Sequence, residues 1–122
     1  MSRSVLDPSQ IHPAIRERVA SYQAALLQQV QAALRQHPVV IVGMAQNPFP
    51  RKARRLLDAA GVRYHYLSYG SYFSDWRRRL ALKMWTGWPT FPMVFVKGTL
   101  VGGASDLEAL ISSGELQRLL AR

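Results

Sequence analysis

One short segment limits the possible folds of this chain more than any other. Residues 39–42 (Val-Val-Ile-Val) form an unbroken β-branched run between Pro38 and Gly43. A continuous apolar run of this length, closed by turn residues on both sides, is typical of a strand that is buried on both faces of a sheet. Such a strand needs a layer of helices on each face, so the sequence predicts a layered α/β domain.

The segments around this strand carry their own periodic patterns. Apolar residues recur every three or four positions from Ile15 to Leu34, which predicts one amphipathic helix over residues 14–36. A second helix is predicted from Pro50 to Ala60, and an alternating strand from Val62 to Leu67. The next helix is predicted from a stripe of four apolar residues: Phe73, Trp76, Leu80 and Met84.

The C-terminal part of the chain predicts a hairpin and a last helix. Residues 93–96 and 99–101 are apolar and meet at Lys97-Gly98, which predicts two antiparallel strands and a tight turn. Residues 105–108 (Ser-Asp-Leu-Glu) read as a capping box that opens a helix, with a break near Gly114. The helix between the first two strands makes that pair parallel.

These elements together predict an α/β fold with a four-stranded mixed sheet, helices on both faces and an extended N-terminal helix. Residues 1–13 are polar and contain two prolines, so they are predicted to form an arm, and residues 14–122 to form one domain. The chain has no apolar run long enough for a membrane span and no secretory signal at its start, so a cytoplasmic protein without a membrane partner is expected.

Composition excludes several kinds of chemistry. The 122 residues include no cysteine, which removes disulfides, thiolate metal ligands, a cysteine nucleophile and thiol redox chemistry. His12, His37 and His65 show no metal-ligand spacing, so no metal site is predicted. The 16 basic residues exceed the 7 acidic ones and leave a formal charge of +9, which would attract anionic partners.

Four short strings, in order along the chain, resemble the glutaredoxin family. Residues 47–53 (Asn-Pro-Phe-Pro-Arg-Lys-Ala) occupy the place of the family's Cys-Pro-Tyr-Cys or Cys-Gly-Phe-Ser motif. Residues 88–92 (Trp-Pro-Thr-Phe-Pro) are similar to the Trp-Pro-Thr signature of monothiol glutaredoxins, with Pro92 at the family's cis-proline. Val-Lys-Gly at 96–98 and Gly-Gly-Ala-Ser-Asp-Leu at 102–107 match the hairpin turn and the start of the last helix. The resemblance implies a thioredoxin-like fold.

The departures from the family pattern concern its chemistry. Asn47 stands at the nucleophilic cysteine, Pro50 at the resolving position, Met44 at a glutathione-contacting lysine and Ala104 at a further cysteine. Thiol–disulfide exchange needs an attacking thiolate. The resemblance therefore implies a family member with no catalytic residues, the two active-site positions being degenerate. It also implies no iron–sulfur cluster, because the cysteine that would hold one is missing.

The resemblance leaves the non-covalent part of a glutathione site in place. It implies that the tripeptide backbone would pair beside the cis-proline, that its γ-glutamyl end would lie at the start of the last helix, and that its glycine carboxylate would meet basic side chains of the third helix. The residues at these positions are Thr90, Phe91, Pro92, Gly103, Ser105, Asp106, Arg79 and Lys83. Solvated helix charges and an ordinary helix cap are the alternatives.

Three functions are compatible with this sequence. The first is a non-catalytic binding module for glutathione, held weakly and non-covalently, or for a protein partner. The second is an accessory role in glutathione-linked redox or iron–sulfur homeostasis beside an active glutaredoxin. The third is a basic adaptor for an acidic protein or a nucleic acid, in which the cations of residues 51–55 and 77–79 merge into one positive face. No nucleic-acid module is recognisable, which disfavours a nucleic acid.

Overall fold

The computed structural model describes residues 3–45, 47–70 and 74–122. A four-stranded sheet runs through the domain, with strands β1 (Val39–Gly43), β2 (His65–Ser68), β3 (Met93–Val96) and β4 (Thr99–Gly102). The helices are α1 (Pro13–Ser21), α2 (Ala24–Gln36), α3 (Pro48–Ala59), α4 (Trp76–Thr86), α5 (Ala104–Ser112) and α6 (Glu115–Ala121). A short 3-10 turn, Pro8–Gln10, precedes them.

The sheet has the mixed topology that the sequence predicts. The strand order is β2-β1-β3-β4, with β1 parallel to β2, and with β3 antiparallel to both β1 and β4. Lys97 and Gly98, with φ of 49° and 80°, form the tight turn of the β3–β4 hairpin, which confirms that prediction. The mixed sheet flanked by helices is therefore confirmed.

Strand β1 separates two hydrophobic cores. All five of its residues are buried. Val40 and Val42 pack in one core with residues of α2 and α4, while Val39 and Ile41 pack in the other with residues of α3, α5 and α6. The prediction from residues 39–42 of a strand covered on both faces is confirmed.

The N-terminal helix is broken into two, which corrects the prediction of one helix over residues 14–36. Gln23 takes a left-handed conformation, with φ 52° and ψ 37°, between α1 and α2. Helix α2 buries Leu26, Val30 and Ala33, whereas α1 buries none of its nine residues. Because only α2 has the core to pack against, the chain turns at Gln23 and α1 lies on the surface.

The apolar stripe of α4 is not its buried face. Trp76, Leu80 and Met84 are 56%, 40% and 49% exposed, and Phe73 lies outside the described residues. The helix instead buries Arg79, Ala81 and Leu82. The spacing of three or four residues correctly predicts a helix, but the packing of α4 beside α2 selects a different side of it.

The boundaries of two helices also differ from the predicted ones. Helix α3 begins at Pro48 rather than Pro50, because Asn47 caps it. Helix α5 begins at Ala104, and the Gly103 N–H donates to Asp106 Oδ2 at 2.9 Å, so the cap lies two residues before Ser105. The predicted break at Gly114, where φ is 80°, is confirmed.

Removal of residues 1–12 is expected to lower the melting temperature by only a few degrees. Residues 3–12, the part of this segment that the structure describes, include none of the core side chains, and Pro13 already opens α1. Leu26→Ala in α2 serves as the comparison, because it removes a buried side chain and should cost about 2–5 kcal/mol. Thermal unfolding followed by circular dichroism measures both. An equal loss in the two variants would contradict a loosely attached arm.

Candidate functional site

Four chain segments meet around a cavity of about 500 Å³ at one end of the sheet. They are the turn before α3 with the start of that helix, the C-terminal half of α4, the loop between α4 and β3, and the start of α5. The lining consists of Met44, Asn47, Phe49, Lys83, Trp88, Pro89, Thr90, Phe91, Pro92, Gly103, Ala104, Ser105 and Asp106. The structure thus brings together all the predicted binding residues except Arg79.

The loop before β3 forms one wall of the cavity. The peptide bond between Phe91 and Pro92 is cis, as predicted. Phe91 and Pro92 are buried, whereas Thr90 is exposed beside them. Thr90 is therefore accessible to a ligand in the cavity, while the two following residues anchor the loop in the core.

The start of α3 is closed to anions. The Phe49 N–H donates to Asn47 Oδ1 at 2.9 Å, so the asparagine caps its own helix. Pro48 and Pro50, the first and third residues of the helix, have no N–H group. A helix start binds anions through the free N–H groups of its first turn. Here one N–H is capped and two are missing, so this end offers no such donors.

The start of α5 has the opposite character. The N–H groups in the first turn of any α-helix have no intrahelical partner. At α5 the N-cap residue is Gly103, which has no side chain to cap them, and its own N–H donates to the Asp106 carboxylate. Ser105 and Asp106 are exposed at the cavity wall. This helix end can bind a carboxylate through its N–H groups, and the neighbouring Asp106 side chain can attract an ammonium group.

Trp88 contributes a hydrogen-bond donor that the sequence analysis missed. Its indole Nε1 is buried, and no partner for it is found within the described ranges. This Nε1 and the carbonyl oxygen of Pro92 both lie close to Gly103, since a Cβ atom placed on that glycine would be 3.9 Å and 3.6 Å from them. Trp88 lines the cavity, so an acceptor on a ligand can satisfy its N–H. From sequence alone, Trp88 could only be assigned to core or groove wall.

Lys83 supplies the positive charge of the cavity lining. Its Nζ lies 5.8 Å from the centre of the Phe91 ring, within the range of a cation–π contact. Lys83 and Asp106 are thus charged groups of opposite sign in one cavity. The lining is otherwise a mixture of apolar walls and neutral polar groups, as is usual in a site that binds a small molecule.

Arg79, which the family resemblance places in the site, lies elsewhere. Its side chain is only 8% exposed, and its Nη1 donates to the carbonyl oxygen of Tyr69 at 3.0 Å and to that of Ser74. Arg79 therefore ties the segment before α4 to the helix and does not line the cavity. Burial raises the pKa of the Tyr69 phenol, whose hydroxyl lies 3.1 Å from Gln29 Oε1.

The two basic runs do not merge into one positive face. Helices α3 and α4 pack on opposite sides of the sheet. On α3, Lys52 pairs with Glu108 at 3.3 Å, and the guanidinium of Arg54 lies 4.5 Å from the centre of the Tyr66 ring. A hydrogen bond with Tyr64 raises the pKa of Arg54 above its ordinary value.

The residue at the family's cluster-binding position does not fit an iron–sulfur cluster. Asn47 presents an amide, whose oxygen already caps α3, and Ala104, at the place of the family's further cysteine, has no ligating atom either. No group of three or more His, Asp or Glu that could hold a metal ion occurs in the part of the chain that the structure describes. His37 and His65 stack with ring centres 4.2 Å apart. Over the same residues, no helix is both long enough and apolar enough to cross a bilayer.

Comparison with known proteins relates the chain to one family. Residues 29–101 match the sequence model described as Glutaredoxin. The chain is 44% identical over 98 residues to a glutaredoxin-like protein of Dictyostelium discoideum, an alignment covering 80% of each protein. It is 38% identical over 72 residues to monothiol glutaredoxin-4 of Schizosaccharomyces pombe, covering 59% of this chain and 28% of that longer protein.

Solved structures agree with this relationship. Oxidized glutaredoxin 2 from Chlamydomonas reinhardtii superimposes with a TM-score of 0.69 and 28% identity, over 81% of this chain and 94% of that one. The buckwheat glutaredoxin–glutathione complex gives a TM-score of 0.71 over 83% and 92% of the two chains, and at 24% identity it supports the thioredoxin-like fold alone. This chain belongs to the glutaredoxin family, as a member that contains no cysteine.

Proposed function

We propose that the protein is a non-catalytic binding module whose cavity takes glutathione, or a peptide of the same chemistry, without covalent capture. One observation carries this proposal. Lys83, the exposed Thr90 and the start of α5 surround one cavity of about 500 Å³, while the position of the family's nucleophile holds Asn47, whose side-chain oxygen caps α3. The cavity retains the means of holding a tripeptide and lacks the means of reacting with it.

The charges of the cavity match those of a γ-glutamyl peptide. The carboxylate of the γ-glutamyl group suits the N–H groups at the start of α5, and its ammonium group suits Asp106. The glycine carboxylate suits Lys83, and the central peptide group can pair with the backbone beside Thr90. The buckwheat glutaredoxin of similar fold was crystallised with glutathione, which supports this choice of ligand.

The same site is unsuited to ionising a thiol. A thiolate is stabilised at a helix start by free N–H groups and the helix dipole. At α3 the Asn47 side chain occupies the Phe49 N–H, and Pro48 and Pro50 supply none. The ligand's sulfur would therefore stay protonated and unmodified in the cavity.

Glutathione is expected to bind with a dissociation constant on the order of 1 mM, corresponding to about −4 kcal/mol. The weakness follows from the missing lysine, replaced by Met44, because one charged hydrogen bond contributes about 1.5–3 kcal/mol. Titration followed by NMR should shift the amide signals of Thr90, Gly103 and Ser105 and the indole signal of Trp88. Added salt should weaken binding, since the ligand's carboxylates meet partly exposed groups.

Lys83→Ala tests the assignment against a matched variant. It should weaken binding roughly tenfold, because it removes the cation in the cavity. Lys52→Ala removes the same charge from α3, where the lysine pairs with Glu108, and should change binding less than about twofold. An absence of shifts at several millimolar glutathione, or equal effects of the two variants, would refute the proposal.

The two other roles predicted from the sequence stay predictions. An accessory role beside an active glutaredoxin, in redox or iron–sulfur homeostasis, is supported by family membership, and a basic adaptor role by the charge of +9. The expected cytoplasmic location is likewise a prediction. None of these depends on whether the cavity binds glutathione.

A further inference from the structure

Helices α1 and α4 enclose an apolar groove that shares no lining residue with the cavity. This α1–α4 groove has a volume of about 480 Å³ and is lined by Ile15, Arg18, Val19, Tyr22, Trp76, Leu80 and Met84. It continues into a recess of about 180 Å³, because Val19, Tyr22 and Met84 line both. The groove therefore reaches from the surface helix α1 towards the core under α4.

The exposure of the groove is unusual for a small monomeric domain. Eight large hydrophobic side chains lie exposed in the described part of the chain, and five of them line this groove: Ile15, Val19, Trp76, Leu80 and Met84. Single exposed hydrophobic residues are normal on a protein surface, whereas a contiguous group of them marks a surface that binds something. The two helices offer this group from facing sides.

Arginines surround the groove. Arg18 belongs to its lining, and the guanidinium carbon of Arg77 lies 4.9 Å from the centre of the Trp76 ring at one end of α4. At the other end of α4, Arg3 Nη2 donates to the carbonyl oxygen of Met84 at 3.4 Å. The nearby carboxylate of Asp75 faces Arg78 at 4.0 Å. The rim is therefore positively charged around an apolar floor.

We propose that the α1–α4 groove binds an acidic amphipathic helix of another protein. Trp76, Leu80 and Met84 span nine residues of α4, a rise of about 12 Å, which is close to the rise of about 10 Å over which a partner helix presents apolar side chains at i, i+4 and i+7. Acidic residues beside that stripe would meet Arg18, Arg77 and Arg3. The apolar floor supplies affinity, and the arginines select a partner of negative charge and fix its orientation.

Two other occupants fit less well. A second copy of this chain would carry the same charge of +9 towards the same arginine rim, and like charges repel. A flat anionic bilayer could touch the rim, but it has no ridge to fill a groove and recess between two helices. A helix with a row of apolar side chains has both the shape and the charge.

The test uses a fluorescein-labelled helical peptide with leucine at positions i, i+4 and i+7 and glutamate on its remaining surface. Anisotropy measured against the full chain should show saturable binding that weakens with salt. A peptide of the same composition, with the leucines distributed around the helix, should bind at least about tenfold more weakly. NMR shifts in the wild-type complex should include the Trp76 indole and the amides of Val19 and Leu80.

Matched charge variants locate the binding surface. Arg18→Glu with Arg77→Glu should weaken peptide binding at least about tenfold. Arg51→Glu with Arg55→Glu makes the same change in net charge on α3 and should weaken it less than about threefold. Val19→Ser with Leu80→Ser should also reduce binding, and because both residues are 40% exposed or more, the melting temperature should change little.

Other results would overturn the proposal. Equal binding of the two peptides, equal effects of the two charge variants, or no binding at about 1 mM protein would do so. Dimerisation of the chain alone in sedimentation, or salt-dependent binding of phosphatidylserine vesicles that requires Val19 and Leu80, would assign the groove to a different occupant. Glutathione affinity is a separate measurement, so this proposal and the proposed function can fail independently.

Discussion

Asn47→Cys is expected to create a reactive thiol, whereas wild type is expected to show no glutathione-dependent reduction of a mixed disulfide. Wild type has no thiolate to attack, since the sequence contains no cysteine. In the variant the cysteine would stand at the start of α3, and removal of the asparagine cap frees the Phe49 N–H to face it. The pKa of the new thiol should therefore fall below the ordinary value of about 8.5.

The decrease in this pKa should be limited by Pro50. A thiol at a helix start is stabilised by the N–H groups of the first turn, and Pro50 lacks the one that its position would otherwise supply. The double variant Asn47→Cys/Pro50→Ala restores that N–H. It is expected to have a lower thiol pKa than Asn47→Cys alone and a correspondingly larger thiolate fraction at neutral pH.

The rate of alkylation by iodoacetamide, measured against pH, reports the pKa in each variant. Thr99→Cys provides the control, because Thr99 is exposed at the first position of β4 and does not belong to the first turn of a helix. Its thiol should titrate near about 8.5. Identical titration of the cysteines at positions 47 and 99 would show that the start of α3 does not act on a thiol. Turnover by wild type, in a preparation checked for contaminating enzyme, would contradict the absence of catalysis.

Arg79→Ala is expected to lower the free energy of unfolding by about 3 kcal/mol. The guanidinium is buried and donates to the backbone carbonyls of Tyr69 and Ser74, and each charged hydrogen bond contributes about 1.5–3 kcal/mol. Removal of the side chain also leaves both carbonyls without this donor. Equilibrium unfolding in urea measures the loss.

Arg78→Ala is the matched control for this prediction. Arg78 is the neighbouring arginine, it is exposed, and its contact with Asp75 at 4.0 Å contributes little. Its replacement should change stability by less than about 0.5 kcal/mol. Equal losses in the two variants would contradict the structural role of Arg79. Glutathione affinity distinguishes the site seen in the structure from the site that the family resemblance implies, which includes Arg79. Folded Arg79→Ala should bind glutathione almost as well as wild type, whereas Lys83→Ala should bind it more weakly.

The sequence by itself determined the order of the elements, the parallel first pair of strands and the closing hairpin. It also excluded thiol chemistry, because a chain without cysteine has no thiolate whatever its fold. These features depend on short-range patterns: the β-branched run of residues 39–42, the Lys97-Gly98 turn and the prolines around α3. Each local pattern has few backbone conformations available to it, so neighbouring residues suffice to predict the outcome.

Tertiary structure decided where the side chains of the helices lie. The spacing in α4 placed Arg79 and Lys83 one turn apart, yet one is buried against the backbone before the helix and the other lines the cavity. Gln23 breaks the first helix without a glycine or proline, because α2 alone has a core to pack against. The face that a helix buries depends on the partners that the whole fold brings to it, and helical periodicity carries no information about those partners.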